Sequence, residues 1–198
     1  KKVYGEIDFI IHAVAFANKD DLTGNFSDVN KEGWDLALNV SAYSLVAIAR
    51  EAKSLMNEGG TITALTYLGG EKYVPNYNIM GVAKAALESS VRYLAAEFGD
   101  IGVRVNSLSA GPVKTLAFKG ISGSDVLLKI NKNRAPMGSN ISLEDVGKAG
   151  LYLASDLSSG VNGETHHVDG GVHAVAISKK DALIQLEYDK LNKDQLVT

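Results

Sequence analysis

Short apolar runs alternate along the chain with long stretches of helical periodicity. Phe9-Ile-Ile-His-Ala-Val-Ala15 is nearly continuous in apolar residues, which predicts a strand buried on both faces. A loop rich in Asn, Asp and Gly follows from Asn18 to Asn30. Beyond it Trp34, Leu38, Tyr43, Leu45, Val46, Ala49 and Leu55 recur at helical spacing, predicting one helix from Lys31 to about Met56, with Asn57-Glu-Gly-Gly60 as its glycine stop. Thr61-Ile-Thr-Ala-Leu-Thr66 reads as the second strand, and a helix from about Asn78 to Phe98 follows, ended by Gly99-Asp-Ile-Gly102. Val103 to Ser109 is the third predicted strand. Ser142 with Asp145 three residues on has the form of a capping box, opening a helix that carries Val146, Leu151, Leu153 and Leu157. Glu164 to Val168 is the last strand, closed by Asp169-Gly-Gly171.

Strands alternating with helices long enough for crossovers predict an α/β fold: a Rossmann-like, doubly wound parallel sheet. Such a fold opens with a strand and a glycine-rich turn whose backbone amides meet a pyrophosphate. Nothing before Phe9 has that character, and neither Gly69-Gly70 nor Gly170-Gly171 has the spacing. The chain therefore reads as the larger C-terminal part of a single dinucleotide-binding domain over residues 1–178, lacking its N-terminal βαβ portion. The tail, residues 179–198, is polar, with a weak helical pattern in Leu183, Leu186 and Leu191.

Composition narrows the function classes. The 198 residues carry a net charge of −3, so no basic face for nucleic acid or anionic lipid is expected. No apolar run reaches the roughly 18–20 residues of a membrane span. Cysteine is absent, which excludes disulfides and thiolate metal sites and fits a cytoplasmic setting. His166 and His167 are adjacent on a strand and point to opposite faces, so no metal site is expected from them.

Three tyrosines, Tyr67, Tyr73 and Tyr77, precede Lys84 in TYLGGEKYVPNYNIMGVAK. Residues seven apart lie on nearly the same helix face, about 10.5 Å along the axis. A lysine ammonium near a phenol, whose ordinary pKa is about 10, favours the phenolate and sharpens its acidity. Alone, that pair fits an interface as well as an acid.

The segments HAVAFA (His12–Ala17), YLGGEKYVPNYNIMGVAKAALES (Tyr67–Ser89), VRYLAAEFG (Val91–Gly99), VRVNSLSAGPVKTLA (Val103–Ala117) and GETHHVDGG (Gly163–Gly171) together closely resemble bacterial enoyl-acyl carrier protein reductases. These are divergent short-chain dehydrogenases/reductases. Ordinary members have Tyr-x3-Lys, a serine twelve or thirteen positions before the tyrosine, and Pro-Gly after the third strand. Here the corresponding residues are Gly81, Leu65 or Ala64, and Gly111-Pro112.

The resemblance implies hydride transfer from NADH, or from NADPH in its place, to the β-carbon of trans-2-enoyl thioesters in type II fatty-acid synthesis. It implies Tyr77, Lys84 and Tyr67 as catalytic residues, with Tyr77 on the thioester carbonyl, Lys84 on the nicotinamide ribose and Tyr67 beside the acyl site. Val14, Val113, Lys114, Thr115, Leu116 and Ala117, with Lys84, would contact the cofactor. Ala17, Met80 and Phe118 would join the two tyrosines at the substrate. Residues 116–135 would form a lid whose apolar patch is Val126-Leu127-Leu128. Lys114, Lys119, Lys129 and Lys132 would meet the acidic acyl carrier protein, and the family implies a homotetramer. The alternatives are a carbonyl-reducing short-chain dehydrogenase and a cofactor-free scaffold protein.

Overall fold

The computed structural model describes residues 5–115, 118 and 123–195, with side chains as far as residue 187. Four parallel strands, β1 (Ile7–His12), β2 (Met56–Thr66), β3 (Arg104–Ala110) and β4 (Thr165–Val168), lie side by side in chain order. Phe9 pairs with Thr61, Thr61 with Arg104, and Ser107 with Thr165. Helices α1 (Lys31–Leu38), α2 (Ser44–Ala52) and α3 (Asn78–Gly99) make the connections between the first three strands. Helices α4 (Ser124–Arg134) and α5 (Leu143–Ala154) lie between β3 and β4, and α6 (Lys179–Gln195) follows.

Period-two alternation gives the sheet two working faces. Ile62 and Ala64 of β2 and Val105 of β3 are fully buried with Leu45, Ala49, Leu87, Val91 and Phe98, so α2 and α3 cover one face. The intervening residues meet α5. Arg104 is buried there, and its guanidinium donates to Ser158 Oγ at 2.6 Å and to the carbonyl of Ser155 at 3.0 Å, with longer contacts to those of Leu153 and Val161. Ser142 and Asp145 cap α5 reciprocally, as the sequence pattern requires.

Three boundaries differ from the sequence expectation. The first strand stops at His12 instead of Ala15, and it is not buried on both faces: Phe9 and Ile11 are largely exposed on an edge strand. The expected single helix from Lys31 is interrupted by a π-turn over Asn39–Tyr43 and ends at Ala52. The interruption has a polar cause. Ser41 Oγ both accepts from Phe16 N and donates to Phe16 O, while Ser44 Oγ donates to Val40 O and pairs with His12 Nε2 at 2.8 Å. A π-turn thus aims two serines at the end of β1, a common use of such turns. Finally, Asn57-Glu-Gly-Gly60 does not stop a helix; it belongs to β2, where the pairing with β1 slips and Gly59 takes φ +80°. The tail's weak periodicity becomes the full helix α6, opened by reciprocal Ser178–Asp181 capping.

Replacing Arg104 by Met leaves several buried acceptors without a donor. Urea denaturation should show a loss of about 2–4 kcal/mol relative to the parent protein.

Candidate active site

All four strands run the same way, and a cavity of about 870 Å³ opens beyond their C-terminal ends. One wall is the chain leaving β1, Ala13 and Ala15–Lys19, tied down by the Ser41 hydrogen bonds to Phe16. The floor is the end of β2, Leu65 to Tyr67. The opposite wall is the first two turns of α3, with Tyr77, Met80 and Lys84, and the chain leaving β3 closes the side with Gly111 to Val113, Thr115 and Phe118.

The loop between Tyr67 and Tyr77 lies directly on the start of α3, and glycine makes that possible. A Cβ on Gly69 would come within 2.4 Å of the Tyr77 ring, and a Cβ on Gly81 would come within 2.8 Å of the Gly69 carbonyl oxygen. The position four after Tyr77 therefore admits no side chain, let alone lysine. Asn76, in the left-handed region at φ 59°, turns the chain into the helix. Tyr67 and Tyr77 consequently meet edge to face, with ring centroids 5.1 Å apart and planes at 78°.

Seven residues on, the buried Lys84 Nζ donates to the Leu65 carbonyl at 2.7 Å. One turn further, the buried Glu88 accepts from Thr66 Oγ1 at 2.6 Å. Sequence patterning missed Glu88, because an acid on a long amphipathic helix looks like solvated surface. Its signal was its spacing, four residues from Lys84.

The electrostatics correct one expectation. Burial pushes the Tyr77 hydroxyl above the ordinary phenol range, and the Tyr67 and Glu88 charges add to the effect. Lys84 does not offset this, so Tyr77 is a neutral phenol at physiological pH, not an activated phenolate. Burial also lowers Lys84 from 10.5 to about 8, against the opposing pull of Glu88. Tyr67 is raised by burial and by Asp169.

The structure brings Ala17, Tyr67, Tyr77, Met80, Lys84, Val113, Thr115 and Phe118 around one cavity. Val14 and Lys114 are exposed and do not line it. Leu116, Ala117 and the first part of the expected lid lie outside the described residues. Of the expected apolar lid patch, Leu127 lines the cavity, Leu128 is buried and Val126 is exposed. Tyr73 is almost fully exposed. His166 meets the Tyr152 ring while His167 bonds Glu71 on the other face. Among the described residues no helix is long and apolar enough to cross a membrane.

The family model described as Enoyl-(Acyl carrier protein) reductase matches residues 1–173. The enoyl-acyl-carrier-protein reductase (NADH) 1 of Rhizobium meliloti is 52% identical over 179 residues, which are 90% of this chain and 66% of that protein. The NADPH-named FabI reductase of Staphylococcus aureus strain MRSA252 is 54% identical over 174 residues, 88% of this chain and 68% of the relative. Among solved structures, the Bacillus cereus enoyl-acyl carrier protein reductase, with NADP+ and indole naphthyridinone, superposes with a TM-score of 0.87 at 51% identity, covering 89% of this chain and 69% of that one. The Anaplasma phagocytophilum reductase, in complex with NAD, does so at 0.85 and 46% identity, covering 91% and 66%. The chain thus spans about two thirds of the length of these relatives. With the Tyr77–Lys84 step, the Tyr67–Tyr77 contact and the glycine-filled fourth position on one parallel sheet, it belongs to the enoyl-acyl carrier protein reductase family of oxidoreductases.

Proposed function

We propose that this chain carries the substrate-side machinery of an enoyl-acyl carrier protein reductase acting on trans-2-enoyl thioesters in type II fatty-acid synthesis. The observation that carries this reading is the placement of a buried, neutral Tyr77 hydroxyl and a buried Lys84 amine on one cavity wall, with Tyr67 packed against the tyrosine. Saturating an enoyl thioester places negative charge on the thioester oxygen. A neutral phenol in a dry pocket donates to that oxygen more strongly as the charge grows, which lowers the barrier selectively. Tyr77 takes that role. Tyr67 buttresses its ring and, with Met80, Phe118 and Ala17, shapes the acyl site.

The cavity also fits the nicotinamide end of a dinucleotide. Lys84 is mostly charged at neutral pH and gives one of its three donors to Leu65, leaving two for ribose hydroxyls. Val113 and Thr115 would flank the same group, with Lys114 and Val14 at its exposed edge; Leu116 and Ala117 belong to the same assignment by sequence. When bound, NADH or NADPH supplies the hydride.

The wider assignments follow from the family. Residues 1–178 form the reductase unit with 179–198 as an appended tail. The thioester arrives on acyl carrier protein, for which Lys114, Lys119, Lys129 and Lys132 are candidate contacts. The assembly is a homotetramer and the setting cytoplasmic.

The purified protein, mixed with NADH or NADPH and crotonyl thioester, should consume the reduced cofactor. Tyr77→Phe should lower turnover about 10²-fold while cofactor titration stays near the parent value. Reduction of ketones in place of the enoyl thioester would overturn the assignment in favour of a carbonyl reductase, and absence of cofactor binding would favour the scaffold reading.

Holding Lys84 in the interior destabilises the fold. Its shift from 10.5 to about 8 corresponds to roughly 3 kcal/mol at about 1.4 kcal/mol per unit, offset by about 1 kcal/mol for the Leu65 hydrogen bond. Because the folded value lies below the unfolded one, the unfolded chain binds more protons between these limits. The penalty is therefore full below pH about 8 and fades as pH rises to 10.5. The parent should therefore gain stability in urea as pH rises from about 8 to 10.5, and Lys84→Met, which has no titrating amine there, should not show that rise.

A further inference from the structure

Glu88 is a buried carboxylate that the proposed chemistry does not use. It lies one helical turn beyond Lys84, and both side chains grip adjacent residues of the same strand end: Lys84 the Leu65 carbonyl, Glu88 the Thr66 hydroxyl. The surroundings leave it little room. A Cβ on Gly70 would stand 2.7 Å from Glu88 Oε1 and 3.1 Å from the Ala85 amide, so the loop can cover this carboxylate only because Gly70 has no side chain.

We propose that Glu88 is a positioning residue, the buried counter-charge that keeps Lys84 cationic and aimed into the active-site cavity. The inference rests on the reductase reading for its functional meaning, but its physical content is a property of this chain alone.

Other charges around the pair are arranged consistently with this role. Among the described residues, Lys84 acts on His12 of β1, which burial and the lysine charge both hold neutral, and Tyr67, Tyr77 and Lys19 line the same cavity as Lys84. Glu88 is the carboxylate, among the described residues, whose charge acts on Lys84. Glu88 itself is pushed up by burial, pulled down by the Thr66 hydroxyl, pushed up by Glu71, and pulled down by His167 and Arg92. Glu71 bonds His167 at 2.6 Å, His167 stacks on His173 at 4.1 Å, and His173 is held by Asp169, which also acts on Tyr67. The like charge of Glu71 that would neutralise Glu88 is thus itself engaged with an imidazole.

The decisive measurement is a pH titration of the Lys84 ε-carbon by NMR in isotope-labelled protein without substrate or cofactor, its resonance identified by its absence in Lys84→Met. In Glu88→Gln, which retains an acceptor for Thr66, the Lys84 midpoint should fall from about 8 by one pH unit or more. Glu88→Asp should restore most of it. An unchanged or raised midpoint in folded Glu88→Gln would overturn the proposal. If Glu88→Gln does not fold, Glu88→Met, which also removes the charge, is read the same way: a lowered midpoint supports the role and an unmoved one refutes it. Since the titration is read without turnover, failure of the protein to reduce enoyl thioesters would leave this result standing, and the converse also holds.

Discussion

The site depends on a two-point tie between the end of β2 and the face of α3. Lys84 reaches back to the Leu65 carbonyl, and Thr66 reaches forward to Glu88, at 2.7 and 2.6 Å. Both contacts are buried, so each is far more sensitive to loss than a surface pair would be. With the helix held to the strand in this register, the Tyr67–Tyr77 loop has only one place to lie. Its glycines, Gly69, Gly70 and the facing Gly81, then let it lie there in van der Waals contact.

That closeness shapes the chemistry. A loop pressed onto the helix dries the Tyr77 hydroxyl and the Lys84 amine, and drying acts on them in opposite directions. The phenol holds its proton more firmly, while the ammonium holds its proton less firmly. The neighbouring lysine does not reverse the first effect, which burial dominates. The result is a neutral donor beside a moderated cation, an arrangement suited to meeting negative charge that develops only during reaction. The cation in that arrangement survives burial because a carboxylate lies one turn away.

The architecture around the site uses the same device repeatedly: polar side chains bonding to backbone from inside the fold. Arg104 gathers the carbonyls beyond α5, Ser41 clasps Phe16, and Asn106 and Asn162 hold the approach to β4. Ser41 fixes a cavity wall beyond the C-terminal strand ends, while the others fix the chain at the opposite edge, where β3 and β4 begin.

Much of this was legible in the residues. The alternation of apolar runs and helical periods specified a parallel α/β sheet because burial on two faces and crossover length leave few other solutions. The Ser142–Asp145 cap was readable because it is a local interaction. Helix geometry made it legible that Tyr77 and Lys84 share one face, while the family was marked by the resemblance of the segments around them. Three things were decided only by tertiary structure. The π-turn at Asn39–Tyr43 exists because distant Phe16 and His12 recruit Ser41 and Ser44. Glycines 59 and 60 sit in a strand, where Gly59 N donates to the distant Gly102 carbonyl and a Cβ on Gly60 would stand 3.1 Å from the Asp8 carbonyl oxygen. The protonation of Tyr77 and Lys84, and the place of Glu88 beside them, follow from burial, and burial is a property of the whole packed molecule that no local pattern carries.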